Sequence, residues 1–406
     1  MVNRPLRIAY SCHDSFPSSD TNTQQVFWTI AEVVRLGVRV DLRIPSVTVD
    51  GAPDPRATIA AYYGAPGSIH DGFSIVPLGD RPAASRRDRG WFDWRVPHHL
   101  MAQSFDLIWT RDPLAAVTCV KAGLPVVFET YRPDFATRAR FGWWRRACLG
   151  RTPLRGIVVH SRMAAHAFTG TGWPEGRTLV AHNGYAPSLM EPRLDRVAAR
   201  TSLGLPARDR LVVYAGHAGR AKGIEALIGL AAAVPAATFL LVGIDASSPE
   251  APWIDGLARR AGARNVRLVP RVRVADVAAY LYASDVLVIP PTDEPLLRYR
   301  RTVTPMKLFT YLAAGRPILA PRLPDVEEVL TDGQTARLVS PRSVNDAAAA
   351  LVALLSDAAL QDHLSRSARA AAADYTWAER ARRLVGFFER ISGESSQAAK
   401  FRVTHN

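Results

Sequence analysis

The chain has 406 residues, of which 48% are hydrophobic and 22% are charged. This composition is typical of a folded globular protein and argues against intrinsic disorder, while the length predicts two or three domains. The formal net charge of +14 indicates polyanionic partners such as nucleotide phosphates, an anionic membrane surface or nucleic acid, and charge alone does not choose among them.

The cysteines and the apolar runs bear on the cellular compartment. Cys12, Cys119 and Cys148 have no metal-ligand spacing, which argues against a zinc site and against a disulfide framework. The first apolar run is interrupted by His13 and Asp14, so we expect no secretory signal. No apolar run approaches the ~18 residues of a membrane span. We therefore expect a cytoplasmic protein, either free or attached peripherally to the inner face of the membrane.

The first part of the chain alternates strand and helix patterns. Strands are predicted at 6–11, 38–44, 105–111, 125–130, 156–161 and 178–181, and helices at 23–36, 113–121 and 135–149. Residues 45–104 are rich in Pro and Gly and show no clear periodicity. The polar loop after the first strand, which holds His13 and Asp14, lies where open α/β sheets bind ligands. A merely solvated loop is the alternative.

The same rhythm restarts after residues 186–209, which contain three prolines and no strand pattern. Strands are predicted at 211–215, 238–243, 265–269, 284–290, 317–320 and 336–339, helices at 222–233, 252–261 and 276–282, and mostly helix from 345 to 391. The predicted organisation is a Rossmann-like domain over 1–185, a linker over 186–209, a second Rossmann-like domain over 210–375, a helix over 376–392 that crosses back to the first domain, and a flexible tail over 393–406.

One phosphate site is predicted in the segment 301–321, RTVTPMKLFTYLAAGRPILAP. Thr304 is suited to cap a helix over 305–314, with Pro305 at its first position and Gly315 after its last turn. Lys307 would then lie in the first turn, where free backbone N–H groups, the helix dipole and an ammonium group all favour an anion. An ordinary core helix is the alternative.

A second turn, YAGHAGRAKGIE at 214–225, has the same physical chemistry. Its glycines permit close backbone approach, and Arg220 and Lys222 supply two cations. It matches neither the GxGxxG pattern nor the P-loop pattern. Because both turns follow strands of one predicted sheet, Lys222, Arg220 and Lys307 are expected to meet a single diphosphate.

These segments resemble family 4 glycosyltransferases. The resemblance rests on YAGHAGRAKG, HNG at 182–184, SDVLVIPP and TPMKLFTYLAAGRPILA, with support from FPSSDTNTQQ, WTRDP and PVVFET in the first part. It implies the α/β GT-B architecture, in which two Rossmann-like doubly wound domains face each other across a cleft. The first domain would hold the acceptor and the second a nucleotide diphosphate sugar.

The resemblance also implies a reaction and a set of site residues. The reaction is retaining transfer of a sugar to a glycan, lipid-linked or cell-envelope acceptor, with no cofactor and no metal, because cationic side chains neutralise the diphosphate. The residues implied in catalysis are Lys222, Arg220 and Tyr131. Those implied at the donor are Gly216, His217, Lys222, Glu294, Thr304, Pro305, Lys307 and Thr310. The acceptor-side loop comprises His13, Asp20, Thr21, Asn22 and Thr23.

Three positions depart from the family pattern. Thr310 stands where members carry a ribose-binding glutamate, Tyr131 where they carry a histidine, and His217 where arginine is common. A threonine cannot chelate a diol as a carboxylate does, so Glu294 or Asp293 is a candidate replacement, as are Glu129 and Arg132 near Tyr131. Two alternatives stay open: a catalytically reduced partner subunit that binds a nucleotide or glycan, and a sugar-nucleotide epimerase or hydrolase.

Two further segments have more than one interpretation. The Arg- and Trp-rich stretches 86–95 and 138–146 suit an anionic membrane surface, or they combine core tryptophans with a solvated arginine face. No RNA- or DNA-binding module is recognisable, so no nucleic-acid partner is expected. His182 and Asn183 are expected to hold a turn rather than to contact substrate.

Overall fold

The computed structural model describes residues 4–47, 54–65, 67, 70–79, 83–219, 222–294 and 304–403, with side chains up to residue 393. Within this part the chain forms two compact units, the first comprising residues 1–183 and 377–406 and the second residues 184–376. Each unit is an α/β domain around one parallel sheet.

The first unit contains a seven-stranded parallel sheet with the order β3-β2-β1-β4-β5-β6-β7. Its strands are β1 Arg7–Ser11, β2 Arg39–Ile44, β3 Phe73–Pro77, β4 Leu107–Thr110, β5 Val126–Thr130, β6 Leu154–Val159 and β7 Thr178–Val180. Its helices are α1 Thr21–Arg35, α2 Pro55–Tyr62, α3 Arg86–Met101, α4 Pro113–Lys121, α5 Asp134–Thr137, α6 Gly142–Cys148, α7 Arg162–Thr169 and, at the end of the chain, α16 Trp377–Val403. The central strands are buried apolar runs because helices cover both faces of a parallel sheet.

The second unit contains a six-stranded parallel sheet with the order β10-β9-β8-β11-β12-β13. Its strands are β8 Leu211–Ala215, β9 Thr238–Val242, β10 Val266–Val269, β11 Val286–Val288, β12 Ile318–Pro321 and β13 Arg337–Val339. Its helices are α8 Arg196–Ser202, α9 Ile224–Ala233, α10 Ala251–Ala261, α11 Val277–Ala283, α12 Lys307–Ala314, α13 Pro324–Glu327, α14 Val344–Ser356 and α15 Ala358–Ala372. Apolar cores line both faces of the sheet.

The order of the strands locates a ligand crevice in each unit. In the first sheet β1 pairs with both β2 and β4, and in the second β8 pairs with both β9 and β11. Chain direction around the sheet reverses at β1 and at β8. Open α/β sheets bind ligands at the carboxyl ends of the strands beside such a reversal. The loops that follow β1 and β8 are therefore the places to look for function.

Three predictions about local structure are wrong in the first unit. Helix α3 lies in the stretch with no predicted periodicity, where Ser85 and Asp88 form a capping box. The single helix predicted at 135–149 is broken, because Arg138 adopts an extended conformation between α5 and α6. The predicted tail from 393 continues α16 as far as Val403. Its sequence contains Glu, Gln, Ala and Lys, which favour a helix, and no proline.

The predicted linker 186–209 is part of the second unit rather than a free connection. It contains α8, whose Ala199 and Arg200 are buried. The Arg200 guanidinium donates to the Asp285 carboxylate at 2.7 Å and to the Ala283 carbonyl at 2.9 Å. A buried ion pair therefore anchors this segment to the second unit. The sequence did not reveal the pair because its acid partner is 85 residues away in the chain.

Candidate functional site

The glycine-rich turn after β8 folds tightly around two other segments of the second unit. Gly216 has a φ of 134°, and a Cβ added there would lie 3.0 Å from the Lys307 Nζ. Gly223 precedes α9 with a φ of 75°, and its Cβ would lie 2.4 Å from the Thr292 Cγ2. L-residues with side chains rarely adopt these conformations. Both positions therefore require glycine, because of their positive φ angles and because neighbouring side chains leave no room for a Cβ. The sequence predicted that glycines in this turn would permit close approach.

Lys307 is the central cation of this site. It is the first residue of α12, and its Nζ lies 3.4 Å from the ring centroid of Tyr214, a cation–π contact. The Tyr214 hydroxyl donates to the His217 carbonyl at 2.6 Å. Burial lowers the pKa of Lys307 well below its ordinary value, and the charge of Lys222 lowers it further. The two predicted lysines are therefore close enough to repel each other, which is the arrangement that an anion relieves.

Three other predicted donor residues, Thr304, Pro305 and Glu294, have contacts or positions that differ from those of the two lysines. The Thr304 hydroxyl donates to the Asp325 carbonyl at 3.3 Å and does not cap α12. The helix begins at Lys307, so the predictions of Thr304 as cap and of Pro305 as first helical residue are wrong. The Glu294 N–H donates to the Thr292 hydroxyl at 3.1 Å. The Thr304 hydroxyl is therefore bonded to the short helix α13 instead of to α12.

Thr310 and Arg220 complete the predicted set in this unit. The Thr310 hydroxyl donates to the Lys307 carbonyl, one turn earlier in α12, at 2.9 Å. Asp293, a candidate replacement for the missing glutamate, pairs with Arg342 at 2.8 Å. Arg220 lies outside the described residues. Sequence reasoning missed two tyrosines of this site, Tyr214 and Tyr311. The Tyr311 hydroxyl accepts from the Ala215 N–H at 2.9 Å.

In the first unit, polar side chains collect at the carboxyl ends of β1, β4 and β5. The His13 Nδ1 lies 3.3 Å from the Asp93 carboxylate and 3.2 Å from that of Asp112, which also accepts the His13 N–H at 2.8 Å. Burial alone would lower the pKa of His13, but Asp112 and Asp93 outweigh it and raise that pKa to about 9. The two carboxylates therefore favour the protonated form of the His13 imidazole. These three side chains have ligand atoms within 4.8 Å of one another, so they could also hold a metal ion.

Glu129 is the centre of a second buried cluster beside the first. Its Oε1 accepts from Gln25 at 2.9 Å, from the His160 Nε2 at 2.7 Å and from the Arg380 guanidinium at 2.8 Å. Burial would raise the pKa of Glu129, but Arg380, His160 and Arg111 hold it far below the ordinary range. Burial lowers the pKa of His160 to about 4, despite its bond to Glu129. The cluster thus contains an ionised carboxylate and a neutral imidazole.

Arg111 and Tyr131 form the edge of this cluster. The Arg111 guanidinium donates to the Gln25 amide oxygen and lies 5.7 Å from the ring centroid of Tyr131. The rings of Tyr131 and His160 have centroids 6.2 Å apart. Tyr131, which stands where the family pattern has histidine, is therefore next to a guanidinium group and a neutral imidazole, both able to donate hydrogen bonds.

The predicted acceptor-side loop is the beginning of α1. Asp20 and Thr21 are exposed, and Asp20 makes no side-chain cap. The Asn22 amide donates to the Asp14 carboxylate. Thr23 is buried, and its hydroxyl donates to the Asp20 carbonyl at 2.9 Å. Thr23 therefore shapes the turn, while Asp20, Thr21 and Asn22 are the members of this loop that remain open to a ligand.

Sequence reasoning missed four residues of these clusters: Asp93, Asp112, His160 and Arg380. They come from α3, the loop after β4, the loop after β6 and α16. His182, which was expected to hold a turn, has its Nδ1 2.9 Å from the His160 carbonyl, and its own carbonyl accepts from Arg380 at 2.9 Å. No local pattern joins residues so far apart in the chain.

The Glu129–His160 pair predicts an acid-sensitive first unit. The pKa of His160 is lowered to about 4 from 6.5, so the unfolded chain binds the extra proton first as the pH falls through this range. Stability present above pH 6.5 is therefore lost between pH 6.5 and pH 4, and the depressed pKa of Glu129 acts in the same direction. We expect a loss of about 3 kcal/mol from His160.

The measurement is urea unfolding followed by tryptophan fluorescence at several pH values. Every tryptophan except Trp253 lies in the first unit, so this signal reports mainly on that unit. His160→Gln should lose less stability between pH 6.5 and pH 4 than the wild type does. An identical pH dependence in the variant would show that His160 is not the responsible group.

The sites described above can be compared with known proteins. Residues 209–357 match the sequence profile of the family described as glycosyl transferases, group 1. The matched residues all lie within the second unit. This match agrees with the transferase-type enzyme predicted from the sequence.

Named relatives agree with the family match. The chain is 28% identical to the D-inositol 3-phosphate glycosyltransferase of Mycobacterium marinum over 230 residues, which are 55% of this chain and 47% of that protein. It is 28% identical over 229 residues to the Mycobacterium tuberculosis (strain F11) protein of the same name, with 55% and 46% covered. The chain thus spans about half the length of these curated relatives.

Solved structures show the fold. A glycosyltransferase from Rickettsia africae is similar with a TM-score of 0.71 and 12% identity, covering 95% of this chain and 98% of that one. Sucrose-phosphate synthase from Thermosynechococcus elongatus has a TM-score of 0.71, 19% identity and coverage of 99% and 100%. Anabaena HepE in complex with UDP-glucose has a TM-score of 0.67, 17% identity and coverage of 97% and 100%. The predicted GT-B fold is confirmed.

Proposed function

We propose that the protein is a retaining glycosyltransferase that transfers a sugar from a nucleotide diphosphate sugar to a glycan, lipid-linked or cell-envelope acceptor. The observation that carries this proposal is the Lys307 ammonium, held over Tyr214 and against Gly216 beside a second lysine, Lys222. UDP is the first nucleotide to test, because the similar Anabaena structure contains UDP-glucose.

The chemistry follows from the charge that develops as the donor bond breaks. Negative charge accumulates on the diphosphate as it leaves, and groups already aimed at that charge lower the barrier. Lys307, Lys222 and the free N–H groups at the start of α9 supply such groups, and Arg220 is proposed to add a third cation. We propose that these cations replace a metal ion. Gly216 and Gly223 let the backbone approach the diphosphate closely.

The acceptor is proposed to bind the first unit. His13, Asp20, Thr21 and Asn22 follow β1, and Tyr131 follows β5, so these residues border the crevice where the strand order reverses. We propose a cytoplasmic enzyme that works at the inner face of a membrane, with no nucleic-acid partner. Among the helices that the structure describes, none combines the length and the apolar character needed to cross a bilayer.

The test is calorimetric titration of the full chain with UDP, GDP and ADP, each alone and as its common sugar conjugates. The titrations are run with EDTA and repeated with Mg²⁺. Saturable binding of one nucleotide in EDTA, strengthened by its sugar, supports a metal-free donor site. Binding that requires Mg²⁺ contradicts the metal-free part of the proposal, and absence of binding in both conditions contradicts the donor site itself.

The reduced partner subunit is a second candidate, and one observation favours it. Thr310 offers no carboxylate, and its hydroxyl is already used on the Lys307 carbonyl. Such a side chain binds ribose hydroxyls less well than glutamate does. A subunit of this kind would bind a nucleotide or glycan weakly and would show no transfer.

Thr310→Glu separates the two candidates. In an active enzyme adapted to Thr310, we expect the new carboxylate to pair with Lys307 three residues earlier and to weaken nucleotide affinity roughly twofold. Thr310→Gln, which has similar size and no charge, should leave the affinity unchanged. The measurement is the same calorimetric titration. A gain in affinity with Thr310→Glu would instead favour a chain that has lost its ribose contact.

A further inference from the structure

Helix α3 of the first unit is apolar on two opposite faces. Its inner face contributes Phe92, Val96 and Leu100 to the core, all of them buried. On the other side, Trp91, Trp94 and Met101 are 59%, 57% and 62% exposed. Their spacing places these three side chains on one stripe of the helix. A helix that only covers its own sheet needs the inner face and gains nothing from tryptophans in water.

The outer stripe is also positively charged. Arg87, four residues before Trp91, lies on this stripe and is exposed, while Arg86 and Arg89 are exposed elsewhere in the first turn of the helix. The Arg95 guanidinium lies 4.3 Å from the ring centroid of Trp91, a contact that keeps the aromatic and the cation on the same surface. Asp93 is buried, and Asp88, which accepts from the Ser85 backbone and hydroxyl at the cap, is an exposed carboxylate that the exposed arginines of α3 outnumber.

The other Arg- and Trp-rich segment is organised differently. Arg132, Arg138 and Arg140 converge on the buried carboxylate of Asp134, at 3.1, 3.8 and 2.9 Å. Trp144 is fully buried. These contacts bind Arg138 and Arg140 to the first unit, which favours the interpretation of this segment as a core tryptophan with a solvated arginine face. Trp143 is 40% exposed in that segment, whereas α3 presents two tryptophans that are more than half exposed, Trp91 and Trp94.

We propose that the outer face of α3 docks on an anionic lipid bilayer, with Trp91 and Trp94 at the headgroup level and the arginines against lipid phosphates. Tryptophan suits this interface because its ring is apolar and its N–H is polar. Basic residues attract an anionic leaflet over the distance of the Debye length. Membrane docking would bring the enzyme to lipid-linked acceptors. This link to the acceptor is the only part of the inference that rests on the proposed function.

The experiment is flotation of the full chain with vesicles of phosphatidylcholine alone and with added phosphatidylglycerol, at low and at high salt. We expect binding only to the anionic vesicles, weakened by salt. Trp91→Ser/Trp94→Ser should lower the partition coefficient by more than about tenfold, and Arg87→Ser by about fivefold. Trp143→Ser, which changes a tryptophan 40% exposed outside α3, is the matched control and should bind as the wild type does.

Several results would contradict the proposal that α3 docks on an anionic bilayer. They are equal binding to neutral and anionic vesicles, failure of the wild type to bind either, or wild-type binding by Trp91→Ser/Trp94→Ser. A change in the sedimentation coefficient of that double variant would instead identify the face as a contact between copies of the chain. Nucleotide titration of the double variant checks the fold and separates the two proposals, because vesicle binding and donor binding can each fail while the other is retained.

Discussion

Replacing Arg380 with methionine is expected to lower the free energy of unfolding of the first unit by about 3–5 kcal/mol. Arg380 and Glu129 are 2% and 1% exposed, and they form an ion pair of 2.8 Å. The same guanidinium donates to the His182 carbonyl at 2.9 Å and to the Ala181 carbonyl. Methionine fills similar space but leaves a buried carboxylate without its principal cation and two carbonyls without a donor.

The control for this change is on the same helix. Arg383 is 44% exposed and lies 3.5 Å from Glu379, so Arg383→Met removes a solvent-exposed ion pair and should cost less than about 1 kcal/mol. Urea unfolding followed by tryptophan fluorescence measures both variants in the first unit. Arg380→Met/Glu129→Gln should recover part of the lost stability, because it removes the uncompensated charge. A small cost for Arg380→Met, equal to that of the control, would contradict this account.

Arg380 also explains what the sequence could not show about the first unit. The cluster joins Gln25 in α1, Glu129 in β5, His160 after β6 and Arg380 in α16. Each of these residues is unremarkable in its own segment, where an arginine on a helix or a histidine after a strand has many roles. The pairing of β5 with β6 and the packing of α16 against α1 bring the four together. Spacing along the chain contains no signal for such a site.

Elements with strong local signals were predicted well. Residues 113–121 and 211–215 match α4 and β8 as observed, because a proline opens the first and an unbroken apolar run forms the second. Helix α3 was missed for the opposite reason. Tryptophans on its outer face and Pro97 within it obscure the single apolar stripe by which a helix is recognised.

The proposed donor site was predicted in part. Lys222 and Lys307 were predicted to converge from two separate turns, and the structure brings them close enough that the charge of Lys222 lowers the pKa of Lys307. The features that predict phosphate binding in each turn, namely glycines, a lysine and a helix start, are local and can be recognised in the sequence. The cap assigned to Thr304 failed because its true partner, the Asp325 carbonyl, belongs to a later segment.

Lys307→Met is expected to weaken binding of the donor nucleotide by about 1.5–3 kcal/mol, or roughly 10- to 100-fold. The substitution removes the ammonium that lies over Tyr214 and keeps a side chain of similar length. Lys121→Met, at the exposed end of α4 in the first unit, removes a lysine far from the donor site in the sequence and should leave the affinity unchanged. Calorimetric titration with the nucleotide that binds the wild type makes the comparison.

The pH dependence of nucleotide binding is a second test of the role of Lys307. Burial and then Lys222 lower the pKa of Lys307, whereas a bound diphosphate favours the charged ammonium. Binding should therefore take up a proton, and affinity should rise as the pH falls through the lowered pKa of Lys307. Titration in buffers with different ionisation enthalpies measures this proton uptake. Its persistence in Lys307→Met would assign the proton to another group.

The position of the Lys307 ammonium can be tested apart from its charge. A Cβ at Gly216 would lie 3.0 Å from the Lys307 Nζ, on a backbone with a φ of 134°, whereas a Cβ at Gly219 meets nothing within 4 Å. Gly216→Ala should therefore displace the ammonium and weaken nucleotide binding, while Gly219→Ala in the same turn should not. If the ammonium binds the diphosphate where the structure places it, Gly216→Ala and Lys307→Met affect the same contact. Their effects on affinity should then be less than additive in the double variant, and full additivity would show that the two residues act independently.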